Sequence, residues 1–313
     1  MTEGTRPGTG AAHEQAGDAD AVRTPAGEAA AGAPAQERGR AGRGAARRAE
    51  RGAARRAERG AALRVERVGR HLFAAITEHV NWLIHAGPDG VTLIDSGYLG
   101  QREQLLASLA AVGCGPADVD AVLLTHAHAD HLGGAAWLAA EHGTPVHAAR
   151  GELPNLHRDV LEQVSPARLL PHAWRSGVLP WAGAILPLLE GRATLGVPAG
   201  TALSEAEDGR IEVPGRPRVI HVAGHTTGHA AYDFVEEGVL ATGDALVTGH
   251  RTLHSAVPQL LPSVYHHDLL QARACLVALR ASESHLLLPG HGDPWHGPAS
   301  RAVDIALLAG APW

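Results

Sequence analysis

Three histidines and an aspartate occur within six residues, directly after the apolar run AVLL. The segment reads THAHADHLGG from Thr125 to Gly134 and places the donors His126, His128, Asp130 and His131 close together. A loop that follows a buried strand can turn all four side chains toward one point, and imidazole and carboxylate are donors that zinc-like divalent ions prefer. A single histidine among twenty-one needs no ligand role. Four donors at this spacing indicate a metal site.

The chain around this segment shows strands that alternate with helices. Short apolar runs separated by turn residues predict strands at LRVERV, HLFAAI, VNWLIHA, VTLID, AVLLT, RVIHVA, AAYDFV, GVLATGD and HLLLPG. Helices are predicted at 101–112, at 135–143 with Gly143 as C-cap, and at 268–279. Strands joined by helices in both halves predict an α/β architecture, with sheets that carry helices on their outer faces.

Residues 151–200 have a less regular pattern that is rich in Leu, Pro and Trp. We expect this segment to be helical in pieces. We interpret it as an insertion that overhangs the active site.

Residues 1–62 are dominated by Ala, Gly, Glu and Arg, with almost no branched apolar or aromatic residues. Such a segment buries too little apolar surface to offset the entropy of ordering, so a disordered tail is predicted. RGAARRAE begins at Arg43 and again at Arg51, and RGAALRVE follows at Arg59. This period of eight is compatible with a transient basic helix or with a plain solvated tail. An alternative is that the native chain starts near Leu63 or Val65.

Charge is unevenly distributed along the chain. Residues 43–70 carry ten Arg against three Glu, a net +7, whereas residues 71–313 carry thirteen Arg against twenty-four Asp and Glu, a net −11. An acidic domain is a poor partner for nucleic acid and a good one for cations. We therefore expect a small-molecule substrate, with nucleic-acid contact limited to the Arg-rich tail.

Cysteine usage and apolar run length bear on the compartment. Cys114 and Cys275 lie far apart without a CxxC pattern, and neither an apolar run of 18 residues nor a secretory signal is seen. A reduced, cytoplasmic setting without membrane insertion is the expectation. The sequence does not indicate a particular oligomeric state.

The HxHxDH arrangement at 126–131 resembles the signature of the metallo-β-lactamase superfamily. Three further motifs follow in the order of that family: AGHT at 223–226, TGD at 242–244 and LPGHG at 288–292. The resemblance extends from about Val65 to the C-terminus and is similar to the motif set of glyoxalase II. It implies an αββα sandwich of two facing mixed sheets, with the site at one edge.

The resemblance also implies a ligand set. One metal would be held by His126, His128 and His225, and a second by Asp130, His131 and His291, with Asp244 bridging the two. The expected cofactors are two divalent ions, zinc in first place and iron or manganese as alternatives. Two such ions about 3.5 to 4 Å apart acidify a shared water. The predicted enzyme is a metallo-hydrolase whose bridging hydroxide attacks a carbonyl or phosphoryl centre while Asp130 orients it and relays its proton.

Four more residues are predicted near the ligands. Asp95 ends the strand VTLID, and its family counterpart is a carboxylate that accepts a hydrogen bond from a ligand histidine; a simple turn or cap is the alternative. His229 either lines the site or is structural. His266 and His267 are candidates for substrate contact.

Differences from the sequence features of named subfamilies narrow the range of reactions that this chain is expected to catalyse. β-Lactamases of this fold generally have cysteine where this chain has Asp244, and glyoxalase II adds a basic helical region after its last ligand. Here twenty-two residues follow His291, with Arg301 as the only basic one. Thioester, lactone or other ester hydrolysis remains, with 151–200 shaping a pocket for a lipophilic acyl group. The acidic domain disfavours nuclease or phosphodiesterase activity.

Two alternatives stay open. A mononuclear iron dioxygenase acting on persulfides resembles this fold but leaves the second metal position unused. A non-catalytic metal-binding interaction protein is the other.

Overall fold

The structure, a computed structural model, describes residues 63–313. The predicted tail at 1–62 lies outside the described residues. Within 63–313 the strands form two mixed sheets that face one another, and helices cover the outer faces. The predicted αββα architecture is confirmed.

The first sheet has seven strands within residues 63–313, arranged in chain order. They are β1 (Arg64–Arg67), β2 (Leu72–Ile76), β3 (Trp82–Gly87), β4 (Gly90–Ile94), β5 (Val119–Leu123), β6 (Val146–Ala148) and β7 (Thr201–Ala202). Pairs from β1 to β4 are antiparallel and pairs from β4 to β7 are parallel. The end of the third octad copy belongs to β1 and is therefore extended rather than helical.

The second sheet has five strands in the same part of the chain, in the order β12-β11-β10-β9-β8. They are β8 (Arg218–His221), β9 (Ala230–Phe234), β10 (Val239–Gly243), β11 (Leu286–Pro289) and β12 (Trp295–His296). Only the pair of β10 and β11 is parallel among these described strands. The short strands β6, β7 and β12 were not predicted.

Seven α-helices occur in the described part of the chain. They are α1 (Arg102–Ala111), α2 (Ala129–His142), α3 (Leu153–His157), α4 (Pro166–Leu169), α5 (Val178–Ile185), α6 (Leu269–Cys275) and α7 (Ala299–Ala309). Gly143, with φ of 70°, ends α2 in the left-handed conformation, as predicted. The predicted start of α2 was wrong: the helix begins at Ala129, so Asp130 and His131 lie in its first turn rather than in a loop. Helix α7 was not predicted.

Strand periodicity builds the layer between the sheets. Leu72, Ala74 and Ile76 of β2 point inward and pack in one cluster with Tyr232 and Phe234 of β9. Successive strand residues face opposite sides. Inward positions on both sheets therefore make one buried layer that joins the sheets.

The outer faces of the sheets are covered by helices. Leu105 and Leu109 of α1 and Leu132 of α2 pack with outward residues of the first sheet. Val303 and Ala306 of α7 pack with outward residues of the second. These contacts leave one edge of the sandwich, where β5, β10 and β11 end, for the residues of the site.

Residues 151–200 contain the three short helices α3, α4 and α5. Trp181 of α5 packs with its ring centroid 5.4 Å from those of Tyr265 and His250. Leu170 and Trp174 on the same segment are 73% and 79% exposed. The segment thus reaches the neighbourhood of the site with one side and presents apolar side chains to solvent with another.

The structure also describes both cysteines and the lengths of the helices. Cys114 and Cys275 are both free. Among the described residues, no helix is both long and apolar enough to cross a membrane.

Candidate metal centre

Seven side chains meet where strands of both sheets end. His126 and His128 follow β5, and His225 lies between β8 and β9. Asp244 directly follows β10, and His291 comes two residues after the end of β11. Asp130 and His131 come from the first turn of α2. The structure brings together all seven residues that the sequence predicts as ligands, which are His126, His128, Asp130, His131, His225, Asp244 and His291.

Two groups of donors can be distinguished within this cluster, and a third group, His126, His131 and Asp244, overlaps both. His126, His128 and His225 each offer a ring nitrogen within 4.8 Å of the others, and Nε2 of His225 lies 3.1 Å from Nδ1 of His128. Asp130, His131 and His291 form the second group. Nε2 of His291 is 3.4 Å from Oδ2 of Asp130. Each group has the size of a divalent-ion site.

Asp244 lies between the two groups. Its Oδ2 is 3.5 Å from Nε2 of His225 and 3.2 Å from Nε2 of His291. Its Oδ1 is 3.5 Å from Nε2 of His131. One carboxylate therefore faces donors of both groups.

Several buried polar atoms here have no hydrogen-bond partner within residues 63–313. They include Nε2 of His126, Nε2 of His131 and Oδ1 of Asp244. A buried polar atom without a partner is costly, and native proteins rarely leave one. Lone pairs of imidazole and carboxylate are satisfied by a divalent cation, so the residues present fit metal ions.

Asp95 orients two of the candidate ligand histidines. Nδ1 of His131 donates to Oδ2 of Asp95 at 2.8 Å. The Thr125 hydroxyl donates to the same Oδ2 at 2.8 Å and accepts from Nδ1 of His126 at 3.0 Å. Both rings therefore carry a proton on Nδ1 and turn Nε2 toward the centre. The predicted hydrogen bond from a ligand histidine to Asp95 is present.

Backbone carbonyls orient two further rings. Nδ1 of His291 donates to the carbonyl oxygen of His79 at 2.6 Å, which leaves Nε2 for the centre. Nε2 of His128 donates to the carbonyl oxygen of Glu162 at 3.3 Å, which leaves Nδ1. In four of the five candidate ligand histidines, one ring nitrogen is thus engaged away from the centre and the other is directed toward it.

His229 contacts two of the candidate ligands, Asp244 and His126. Its Nε2 accepts from the backbone N–H of Asp244 at 3.1 Å, and its ring stacks on that of His126 at 4.9 Å. His266 packs its ring 5.2 Å from that of His225, and the His267 backbone donates to the His225 carbonyl. The structure therefore places these three residues against ligand residues.

The two sides of the centre differ in electrostatic character. Burial, together with the neighbouring histidines, lowers the pKa of His126 well below its usual value. Burial also lowers the pKa of His128 to about 4, against the opposing charge of Asp130. On the other side, burial lowers the pKa of His131 but the charges of Asp95, Asp244 and Asp130 outweigh it, and the pKa rises to about 9. The side of His126 and His128 therefore presents neutral imidazoles. The side of His131 carries carboxylate charge that a cation would stabilise.

Gly290 allows the closest approach at the centre. A Cβ at this position would lie 2.2 Å from Oδ1 of Asp244 and 2.8 Å from Cε1 of His131. Neither atom can retreat without leaving the cluster. The glycine before His291 is therefore required by space.

Glu152 ties two of the site loops together and was not predicted. This fully buried carboxylate accepts from the Ala127 backbone N–H at 2.8 Å, the Thr226 hydroxyl at 2.6 Å and the Gly228 backbone N–H at 3.1 Å. It thus connects the 126–131 segment to the His225 loop. No spacing or motif in the sequence indicates this role.

A cleft of about 540 Å³ opens beside His291. His79, Trp181 and His250 contribute to its wall, and the ring of His250 lies 5.0 Å from that of His291. Sequence analysis missed His250 because it belongs to none of the four motifs. This cleft is the candidate substrate site.

A sequence profile of the metallo-beta-lactamase superfamily matches residues 77–291 of the chain. The chain belongs to the metallo-β-lactamase superfamily. This membership confirms the predicted enzyme class, a metallo-hydrolase, and it agrees with divalent-metal binding at the His and Asp clusters.

Individual relatives and structures agree with this superfamily membership. A probable metallo-hydrolase, YflN, of Bacillus subtilis is 28% identical over 230 residues, which cover 71% of this chain and 82% of that protein. A hydroxyacylglutathione hydrolase of Cupriavidus taiwanensis is 31% identical over 197 residues, 61% of this chain and 58% of that protein. The crystal structure of a metallo-beta-lactamase family protein from Thermus thermophilus superposes with a TM-score of 0.53 at 24% identity, covering 74% of each chain. The last likeness concerns the metallo-β-lactamase fold alone.

Proposed function

We propose that the protein is a dinuclear metal-dependent hydrolase that acts on the carbonyl of a thioester, lactone or other ester. His126, His128 and His225 would hold one ion, and Asp130, His131 and His291 the other, with Asp244 shared. Zinc suits this set of imidazole and carboxylate donors; iron and manganese are the alternatives. The hydrolase domain would be residues 63–313, with 151–200 as an insertion beside the site.

The observation that supports this proposal is the position of Asp244. Its two oxygens face His225 and His291 on one side and His131 on another, at 3.2 to 3.5 Å. A carboxylate with this reach neutralises part of the repulsion between two cations. A site for a single ion leaves Asp130, His131 and His291 without a metal to bind.

Two bound ions would supply Lewis acidity to a carbonyl oxygen and lower the pKa of a water between them. Asp130 is the carboxylate suited to proton transfer, because its side chain is 16% exposed whereas that of Asp244 is 3% exposed. We assign to Asp130 the removal of a proton from the attacking water and its delivery toward the leaving group. Burial and the charges of Asp130 and Asp244 raise the pKa of Tyr98 well above its usual value, so this hydroxyl keeps its proton.

The substrate class follows from the cleft and from the relatives. Trp181 and Ile76 add apolar surface to a cleft that begins at His291, which suits an acyl group next to a reacting carbonyl. A relative named hydroxyacylglutathione hydrolase supports an acyl compound as the target. We therefore place thioesters and lactones ahead of phosphodiesters.

A substrate panel tests the proposal. Metal-loaded protein is assayed with acyl thioesters, lactones, aryl esters and phosphodiesters, alongside His126→Ala, Asp244→Ala and the exposed control Asp159→Asn. We expect carbonyl substrates to be hydrolysed, the first two variants to lose at least about a thousandfold in kcat/KM, and the control to keep wild-type rates. Oxygen uptake with a persulfide by a one-iron protein, or no turnover of any substrate, would overturn the proposal.

Residues 1–62 contribute none of the described site residues. Deletion of residues 1–60 is therefore expected to leave kcat/KM within about twofold of the full chain. A larger loss would show that the tail takes part in catalysis.

A further inference from the structure

His250 stands outside the ligand set and is held in one orientation. Its Nδ1 lies 2.7 Å from the Thr252 hydroxyl and accepts from the Thr252 backbone N–H at 3.3 Å. A ring nitrogen that accepts a hydrogen bond carries no proton. The proton of the neutral ring is therefore on Nε2.

The ring of His250 is fixed by its neighbours as well. Its centroid lies 5.0 Å from that of His291, 5.4 Å from that of Trp181 and 5.4 Å from that of Tyr265. Three rings around a fourth leave little freedom to rotate. Preorganisation of this kind is what a substrate-binding group requires.

Nε2 of His250 is an unused donor. Within residues 63–313 no side chain or carbonyl accepts a hydrogen bond from it, and it is absent from the buried atoms that lack a partner. His250 lines the cleft of about 540 Å³ beside His291. The free N–H therefore has access to whatever occupies the cleft.

Two ion pairs lie in the wall of the cleft. Arg64 pairs with Asp293 at 2.5 Å, and Arg251 pairs with Glu78. These pairs cancel much of the charge in the wall. A neutral donor in such surroundings favours binding of an uncharged acceptor oxygen, such as the carbonyl or ring oxygen of an ester or lactone, over binding of an anionic group.

We propose that His250 is a substrate-binding residue whose Nε2–H donates to an acceptor oxygen of the substrate beside His291. This inference rests on the proposed hydrolase function and names a specificity determinant for it. It requires no change in the protonation of His250. Thr252 is its positioning residue, through the two contacts at Nδ1.

Three substitutions separate this role from a structural one. His250→Phe keeps a ring but removes the donor, His250→Gln keeps an N–H near the position of Nε2, and His254→Phe alters an exposed histidine four residues along. We expect His250→Phe to lower kcat/KM about tenfold or more for the best ester or lactone. The kcat/KM of His250→Gln should recover at least part of the loss, and that of His254→Phe should equal the wild-type value. Metal content and melting temperature should stay at wild-type values in all three variants.

A readout independent of turnover tests the orientation. In ¹⁵N-histidine-labelled protein, the resonances lost in His250→Gln identify the ring, and we expect Nδ1 to be the unprotonated nitrogen. The Nε2–H signal should shift when an uncharged ketone analogue of the best ester or lactone is added. A protonated Nδ1, or wild-type kcat/KM in His250→Phe, would overturn the assignment of His250 alone. Absence of hydrolysis by the wild-type protein would instead overturn the proposed function.

Discussion

Oδ2 of Asp95 lies 2.8 Å from Nδ1 of His131, and the same oxygen accepts from the Thr125 hydroxyl. Asp95 adopts a left-handed backbone conformation with φ of 60°, which is uncommon for a residue other than glycine. Its other oxygen accepts from the Thr125 backbone N–H at 2.8 Å. The side-chain hydrogen bonds of this strained residue all go to Thr125 and His131. The strain is therefore compensated by the orientation of His131 and, through Thr125, of His126.

Asp95→Asn tests this relationship. If the Asn amide NH₂ takes the place of Oδ2, it donates to Nδ1 of His131 instead of accepting from it. The His131 proton would then move to Nε2, which is the wrong tautomer for a metal ligand. We expect metal affinity or kcat/KM to fall about tenfold to a hundredfold, with metal affinity measured by competition against a chromophoric chelator. Asp159→Asn, an exposed aspartate, serves as the control. Wild-type affinity in Asp95→Asn would show that His131 does not depend on this carboxylate.

The metal-free protein is predicted to be most stable near pH 6.5. A folded-state pKa of about 9 for His131 stabilises the fold below the unfolded value of about 6.5, and this contribution is lost as the pH rises through 9. Burial lowers the pKa of His128 to about 4 and that of His229 to about 3. The unfolded chain then binds more protons than the folded one below pH 6.5, so stability also falls toward pH 4.

Urea denaturation from pH 4 to 9 in the presence of a chelator measures this profile. Saturating zinc should reduce the alkaline loss, because Nε2 of His131 would then bind a cation instead of a proton. A free energy of unfolding that rises steadily from pH 7 to 9 without metal would contradict the assigned protonation.

Glu152→Ala is predicted to destabilise the fold by about 3 kcal/mol. The substitution leaves the Ala127 and Gly228 backbone N–H groups and the Thr226 hydroxyl without their buried acceptor. Burial raises the pKa of Glu152, against the lowering by these hydrogen bonds. Urea denaturation of metal-loaded protein provides the free energy, and Glu207→Ala at an exposed position provides the control. A change below about 0.5 kcal/mol would mean that the loops are held by other contacts.

The clustering of the candidate ligands could be predicted because their motifs are local signals in the sequence. HxHxDH is a spacing within six residues, and Asp244 and His291 each directly follow a glycine after a strand. Glu152 and His250 gave no such signal, since Glu152 acts on Thr226 across 74 residues and His250 on His291 through packing. Tertiary contacts of this kind leave no spacing in one sequence.

The sequence analysis misplaced the start of α2 and missed α7, for different reasons. The sequence pattern predicts a loop that ends at Gly133 and Gly134, but both glycines lie inside α2, where a Cβ on Gly133 would be 2.1 Å from the Leu99 backbone nitrogen. Here glycine serves close packing rather than helix termination. For α7 the signal was present, because its buried residues Ala299, Ala302, Val303 and Ala306 follow helical spacing.

Metal content tests the two-ion site most directly. Elemental analysis by inductively coupled plasma mass spectrometry is made on protein purified without chelator and reconstituted with excess zinc, followed by desalting. Two ions per chain are predicted for the wild-type protein and for Asp159→Asn, and one or fewer for Asp244→Ala, which retains the far-UV circular dichroism of the wild type. A single ion per wild-type chain, or two ions still bound by Asp244→Ala, would contradict a shared carboxylate between two cations.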